Sequence, residues 1–280
     1  SGEQRRTQGP AGVRRSCPPS SEEHRTARPA RGPAGQVVAQ KPPRVLSPAP
    51  MGPLAILYDV HGNLPALDAV LADACGAGAA RFLLGGDYAL FGPWPAETVA
   101  ALRALTNSTW IRGNVDRWSA HPPEAPGDEL VQDAIAACRD ALSPRLIDEL
   151  GALPEQVVLD GTRYCHASPI SDLRSFAPDQ SDEDDELLGD TRERRVVFGH
   201  THVQFVRGGP AGAELVNPGS VGMPFDGDPR AAYGLLHDDG RLELRRVGYD
   251  HGASAAAMRR RFGDAAWVRR GETRLTSARA

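Results

Sequence analysis

Asp59 and His61 stand two residues apart at the end of a short apolar run, residues 54–58, that reads as a buried strand. Side chains at i and i+2 of an extended chain point the same way, so a carboxylate and an imidazole converge there. Such a pair can share one divalent ion. The pattern recurs along the chain. Residues 80–84 end at Gly85-Gly86-Asp87, and 109–111 end at Arg112-Gly113-Asn114-Val115-Asp116. Residues 163–166 finish on His166, and 194–198 lead into Gly199-His200-Thr201-His202. The strand ends therefore supply Asp59, His61, Asp87, Asn114, His166, His200 and His202. Seven oxygen and nitrogen donors exceed the needs of one tetrahedral ion, which implies two adjacent ions and a bridging carboxylate. Each donor also has an ordinary reading: Asp59 as a turn cap, His166 as a satisfied core histidine, Asn114 as a residue tolerant of a left-handed turn.

Helical spacings lie between these runs. Residues 64–75 carry Leu64, Leu67, Val70 and Leu71 on one face with Pro65 in the first turn, and Pro95 opens a second helix through Leu105. Strand–helix alternation of this kind implies parallel strands whose polar C-terminal ends share one edge. Residues 128–142 and 144–153 read as two further helices, the second started by Ser143-Pro144. Residues 156–160 and 163–166 form a hairpin around Asp160-Gly161, and 231–236 with 241–247 form another across Asp238-Asp239-Gly240. Residues 179–190 hold seven acids in twelve positions and read as a solvated helix. Beyond Asp250, Met258, Phe262, Ala266 and Trp267 suggest one C-terminal helix docked by a single face.

Composition narrows the function classes. Residues 1–50 carry eight Arg and one Lys against three Glu, and residues 251–280 carry seven Arg against two acids. With a total of −4, these segments at +6 and +5 leave −15 for residues 51–250. An acidic body suits cation binding and argues against long nucleic acids, whose affinity comes from phosphate neutralisation. Lys41 is the sole lysine, which excludes Schiff-base and P-loop lysine chemistry from the body. The four cysteines are widely spaced with no Cys-x-x-Cys, so the plain reading is a reduced, cytoplasmic protein. No run spans a bilayer and no signal peptide is legible. Arginine, alanine, glycine and proline usage suggests a high-GC bacterial genome. Residues 1–50 are Pro-, Arg-, Gly- and Ser-rich and read as disordered, with Met51 as the candidate natural start. The expected organisation is a tail (1–50), a body (51–250) and a helical extension (251–280).

The ordered motifs Asp59-Val60-His61-Gly62-Asn63, Gly86-Asp87, Gly113-Asn114-Val115-Asp116, His166, Gly199-His200-Thr201-His202 and Asn217-Pro218-Gly219-Ser220 closely resemble those of calcineurin-like metallophosphoesterases, especially the small bacterial phosphodiesterases. The resemblance spans residues 53–250. It implies an α/β fold, a four-layer αββα sandwich of two mixed β-sheets, with the site at the strand ends. It assigns Asp59, His61 and His202 to one ion, Asn114, His166 and His200 to the other, and Asp87 to both. Manganese is the first expectation, with iron, zinc, cobalt or nickel as alternatives. The implied reaction is hydrolysis of a small phosphodiester or phosphomonoester by a metal-bridging hydroxide. Asp87, Asn114 and Asp116 are then the catalytic candidates, and Asn63 and Arg112 the substrate-side candidates. Asn217 and Ser220 read as shaping a Pro-Gly turn. Many family members place at position 115 a histidine that protonates the leaving group; this chain has Val115, leaving Asp116 with nothing to steer. The alternative function is a scaffold of the same fold used for protein contact, as in the retromer subunit of the family.

Deleting residues 1–50 is expected to leave Tm and turnover nearly unchanged, because the segment has too little apolar surface to pack. A large drop in Tm would show that it docks on the body.

Overall fold

The computed structural model describes residues 52–280, so the basic tail lies outside the described residues. The chain runs β1 (Leu54–Leu57), α1 (Leu64–Gly76), β2 (Arg81–Leu84), α2 (Pro95–Arg103), β3 (Ser108–Trp110), α3 (Asn114–Ala120), α4 (Glu129–Ala141), α5 (Pro144–Gly151), β4 (Gln156–Leu159), β5 (Thr162–Cys165), α6 (Asp184–Leu188), β6 (Arg195–Val197), β7 (Phe205–Gly208), β8 (Glu214–Asn217), β9 (Ala231–Leu236), β10 (Leu242–Val247), α7 (His251–Phe262) and α8 (Ala266–Ser277). Two five-stranded sheets form, in the orders β10-β9-β1-β2-β3 and β4-β5-β6-β8-β7. β1, β2 and β3 are parallel, as are β5, β6 and β8, while the remaining strands join antiparallel. Both sheets are therefore mixed, and each parallel set brings its C-terminal ends to one edge.

Alternation along β1 explains the layering. Ala55 and Leu57 face the core shared with α1, α2 and α4, where Leu67, Val70, Val99, Leu102 and Ile135 are buried. Leu54, Ile56 and Tyr58 face the other way and meet Tyr164, Val197 and Val216 of the second sheet. A strand buried on both faces reads as an unbroken apolar run, which is what residues 54–58 are. Tyr58 adds one polar tie between the sheets, its hydroxyl donating to the Val197 carbonyl at 3.0 Å.

The outer face of the second sheet is covered more thinly. Phe176, Leu187 and Leu188 pack on Phe198 and Leu215, and α6 is the one helix in that cluster. The acidic stretch 179–190 thus yields only a five-residue helix. Asp184 is buried there because Arg207 grips it with two hydrogen bonds of 2.7 and 2.9 Å. The Arg207 guanidinium compensates that charge.

The C-terminal extension differs from expectation. It forms two helices, not one, because the chain turns at Gly263 with φ of 77°, a conformation that L-residues with a Cβ resist. Cys138 and Cys165 are buried free thiols. No helix among the described residues is long and apolar enough to cross a membrane.

Candidate metal centre

The loops that leave the strands are laced together by their backbones. Asp59 N–H donates to Gly86 O at 3.2 Å, His61 N–H to Asp87 O at 2.9 Å and Gly62 N–H to Tyr88 O at 2.8 Å. The β1 loop thus lies along the β2 loop, with Asp59 and His61 beside Asp87. Asp116 fastens the β3 loop to the same place. Its carboxylate accepts from the N–H groups of Asp87 at 2.8 Å, Tyr88 at 3.2 Å and Gly113 at 2.9 Å. From the second sheet, Gly199 N–H donates to His166 O at 2.8 Å and His200 N–H to Asp59 Oδ2 at 3.0 Å. The chain turns sharply at each point. Asp59, His61, Asp87, His200 and His202 have φ values of 54°, 47°, 60°, 65° and 58°. Five non-glycine residues in the left-handed region within one cluster are strain that the surrounding lacing must hold. Gly113 and Gly199 permit the close approach: a Cβ on the first would strike Asp87 Oδ1, and on the second it would lie 2.6 Å from Asp59 Oδ2.

All seven expected donors meet here. His61 Nδ1 donates to Leu90 O at 2.9 Å, His202 Nδ1 to Met223 O at 2.5 Å and His166 Nδ1 to Gly85 O at 2.9 Å. A carbonyl only accepts, so each of these protons sits on Nδ1 and each Nε2 faces the centre. His61 Nε2 and His202 Nε2 are 3.1 Å apart, and Asp59 Oδ1 is 3.7 Å from His202 Nε2 and 3.9 Å from His166 Nε2. Asp87 Oδ2 lies 3.8 Å from His61 Nε2 and 3.4 Å from His166 Nε2. Asn114 Oδ1 lies 3.0 Å from both His166 Nε2 and His200 Nδ1. Donors about 2.0–2.2 Å from a common ion lie roughly 3.0–3.5 Å from one another, close to the spacing here. Asp59 with His61 and His202, and Asp59 with Asp87 and His166, each group tightly enough to hold an ion.

The electrostatics call for positive charge. Asp59 Oδ1 is fully buried without a hydrogen-bond partner, an arrangement that costs more than the about 1–3 kcal/mol of a neutral orphan. Burial raises the Asp59 pKa well above the usual carboxylate value. Burial likewise lowers His61 and His202, and takes His200 down to about 4, so these imidazoles are neutral and fit to ligate at neutral pH. Burial pushes His166 in the same direction, but the Asp87 carboxylate beside it outweighs burial and raises it to about 10. A proton on His166 is one answer to the surplus of acceptors; a divalent cation is a stronger one.

Other sequence candidates fall elsewhere. Asn63 is buried, with Nδ2 donating to Gly222 O at 2.8 Å and Tyr249 Oη at 3.0 Å, while its Oδ1 accepts from Ser254 Oγ at 3.2 Å. It caps α1 and anchors the C-terminal extension, with no capacity left for a substrate. Arg112 is also committed, to Gly151 O at 3.1 Å and Glu155 Oε1 at 2.5 Å. Asp116 spends its carboxylate on three N–H groups, one of them that of Asp87. Val115 is 2% exposed and packs in the main core, its N–H donating to Asp87 Oδ1 at 3.1 Å. His121, the next histidine along the chain and a candidate source of the leaving-group proton in place of position 115, is exposed at the far end of α3, roughly 10 Å along the helix from Asn114 at 1.5 Å per residue. Ser220 and Asn217 shape their turn: Ser220 Oγ donates to Asp59 O at 2.7 Å and Asn217 Nδ2 to Gly199 O at 2.9 Å. Sequence reasoning missed the carbonyls of Gly85, Leu90 and Met223, since main-chain acceptors have no residue signature.

Two substitutions test these placements. Asn63→Ala is expected to cost about 1–3 kcal/mol by orphaning its partners, lowering Tm with KM unchanged; a raised KM at unchanged Tm would instead mark a substrate contact. Val115→His is expected to lower Tm by burying an imidazole in the apolar core. Unchanged Tm with faster cleavage of alkyl esters would show that position 115 opens onto the site.

Residues 53–240 match the calcineurin-like phosphoesterase superfamily domain. An uncharacterised protein, MJ0912, of Methanocaldococcus jannaschii is 29% identical over 220 residues, spanning 70% of this chain and 88% of its own. A metallophosphoesterase from Sphaerobacter thermophilus superposes with a TM-score of 0.67 at 26% identity, covering 81% of this chain and 99% of that one. The hypothetical protein PH1004 of Pyrococcus horikoshii gives 0.70 at 18% identity, with the same coverage, and supports the fold alone. With the matched domain covering most of the described residues, this chain belongs to the calcineurin-like phosphoesterase superfamily.

Proposed function

We propose that the protein is a binuclear metal-dependent phosphoesterase acting on small phosphodiesters or phosphomonoesters. The observation that carries this reading is the buried convergence of imidazole nitrogens and carboxylate oxygens around the partnerless Asp59 Oδ1 in a phosphoesterase fold. Asp59, His61 and His202 would hold one ion, Asn114, His166 and His200 the second, and Asp87 would face both. Nitrogen and oxygen donors of this mixture suit manganese, iron, zinc, cobalt or nickel. Such a pair, when bound, polarises the phosphoryl group and lowers the pKa of water at neutral pH.

The chain's own contribution is orientation. Leu90, Met223 and Gly85 fix the imidazole tautomers, and the amides around Asp116 hold the Asp87 backbone in its left-handed turn. His200 is the most open of the four histidines in the cluster. Without an acid at position 115, departure of the leaving group depends on its own acidity. General acid catalysis is typically worth on the order of 10²–10⁴-fold.

Metal-loaded protein is therefore expected to cleave bis(p-nitrophenyl) phosphate readily and alkyl esters poorly, with kcat/KM falling steeply as leaving-group pKa rises. Asp87→Asn should lower kcat/KM by at least about 10²-fold, because the lost charge faces both ion positions. His121→Ala should stay within about twofold of wild type. A shallow leaving-group slope that steepens in His121→Ala would assign the proton to His121. Full activity in Asp87→Asn would remove the bridging assignment.

A further inference from the structure

The α7–α8 pair lies beyond the matched family domain, yet Ser254 of α7 bonds Asn63 and Arg274 of α8 sits over Phe225, which stacks on His202. Gly271 lets α8 close on α7, since a Cβ there would collide with Met258. Between α8 and the body is a cavity of about 270 Å³, lined by Phe91, Val131, Met223, Trp267, Arg270 and Arg274 among others. Its volume is near the lower end of small-molecule sites, which begin at about 300 Å³.

Three contacts join this cavity to the ligand histidines. The Phe91 ring is 6.0 Å from that of His61, and Met223 supplies the carbonyl that takes the His202 proton. Phe225 stacks on His202 at 4.4 Å, and the Arg274 guanidinium sits 5.4 Å from the Phe225 centroid. The cavity and the wall that carries His61 and His202 thus share Phe91 and Met223.

The cavity carries charge that the protein leaves unanswered. Arg259, Arg261 and Arg269 of the same two helices pair with Glu272, Glu97 and Asp264. Among the described residues, no carboxylate pairs with Arg270 or Arg274, and the buried Arg274 Nε has no hydrogen-bond partner. Asp128 also borders the cavity, but its Oδ1 caps α4 through Leu130 N–H at 2.8 Å. Burial, then the charge of Arg270, lowers the Arg274 pKa. Two adjacent cations, one half-buried with an unsatisfied donor, gain most from a multivalent oxyanion. The Phe91 and Trp267 side chains beside them offer apolar surface to a flat ring.

We propose that this cavity is a specificity site for a nucleotide-like phosphodiester, in which Arg270 and Arg274 bind a second, non-reacting phosphate and the aromatic wall flanks the ring. The assignment rests on the phosphoesterase reading for the position of the reacting end. The chemical class is a nucleoside that bears one phosphodiester and one further phosphate.

Two substrates that differ only in the remote group test it: thymidine 5′-(p-nitrophenyl phosphate) with and without a 3′-phosphate. Wild-type protein loaded with manganese is expected to favour the 3′-phosphorylated compound by about tenfold or more in kcat/KM, the scale of one charge-assisted contact. Arg270→Gln with Arg274→Gln should bring the ratio close to one, Arg274→Lys should keep part of it, and Arg269→Gln should leave it unchanged. A wild-type ratio below about two, or one that survives the double substitution, overturns the proposal. Calorimetric binding of thymidine 3′,5′-bisphosphate provides a readout apart from turnover and should weaken about tenfold in the double variant. If neither ester is cleaved while binding still needs both arginines, the phosphoesterase reading fails and the anion site stands. If both are cleaved at equal rates and binding ignores the arginines, the anion site fails alone.

Discussion

Two imidazole nitrogens facing each other at 3.1 Å, with both protons drawn off to main-chain carbonyls, form a contact that repels unless a cation lies close by. Asp59 Oδ1, buried and without a partner, is held against the same point. Neither imidazole can answer the other, because the proton of each is committed to a main-chain carbonyl. The centre therefore makes sense as a receptor for positive charge, and the rest of the fold can be read as the apparatus that keeps it assembled. The left-handed turns at five of its residues belong to the same account, since strain at a site persists only where neighbouring structure fixes it.

That apparatus consists largely of buried polar side chains that tie one loop to another. Asp116 ties three amides across two loops, Asn63 ties the β1 loop to Tyr249 and Ser254, and Ser220 ties the Asp59 carbonyl to a third segment. Each uses nearly all of its hydrogen-bonding capacity, which makes a buried network stabilising rather than costly. Through Asn63, the C-terminal helices are joined to the metal loop itself. This explains how a segment outside the family domain can shape the ground next to the site.

The sequence made the donors legible because their signal is local. A short apolar run followed by Asp-x-His or His-x-His needs only strand geometry to bring two side chains together, and parallel strands align their ends. The strands and most helices followed from period and capping: Asp128 and Ser143 cap α4 and α5 where the pattern placed them. What was not legible depends on where side chains turn in the folded chain. Asn63 and Arg112 sit next to ligand motifs, yet one faces Gly222 and Tyr249 and the other Gly151 and Glu155. Val115 follows a metal-type asparagine but packs in the core, because a helix begins at Asn114 and carries the next side chain round by 100°. The short edge strand β7 and the break at Gly263 escaped notice because four residues and one glycine carry little periodic signal. The unpaired arginines of α8 looked like part of a basic terminus until their missing partners could be counted in space.

The central claim, that this cluster is built to hold two cations, is most directly tested by titrating chelator-stripped protein with manganese in a calorimeter, alongside elemental analysis of the saturated sample. The account predicts binding that saturates at two ions per chain, falling to one or none when Asp87 is replaced by asparagine. Protein that takes up no manganese at millimolar concentration, while remaining folded with its imidazoles intact, would contradict it.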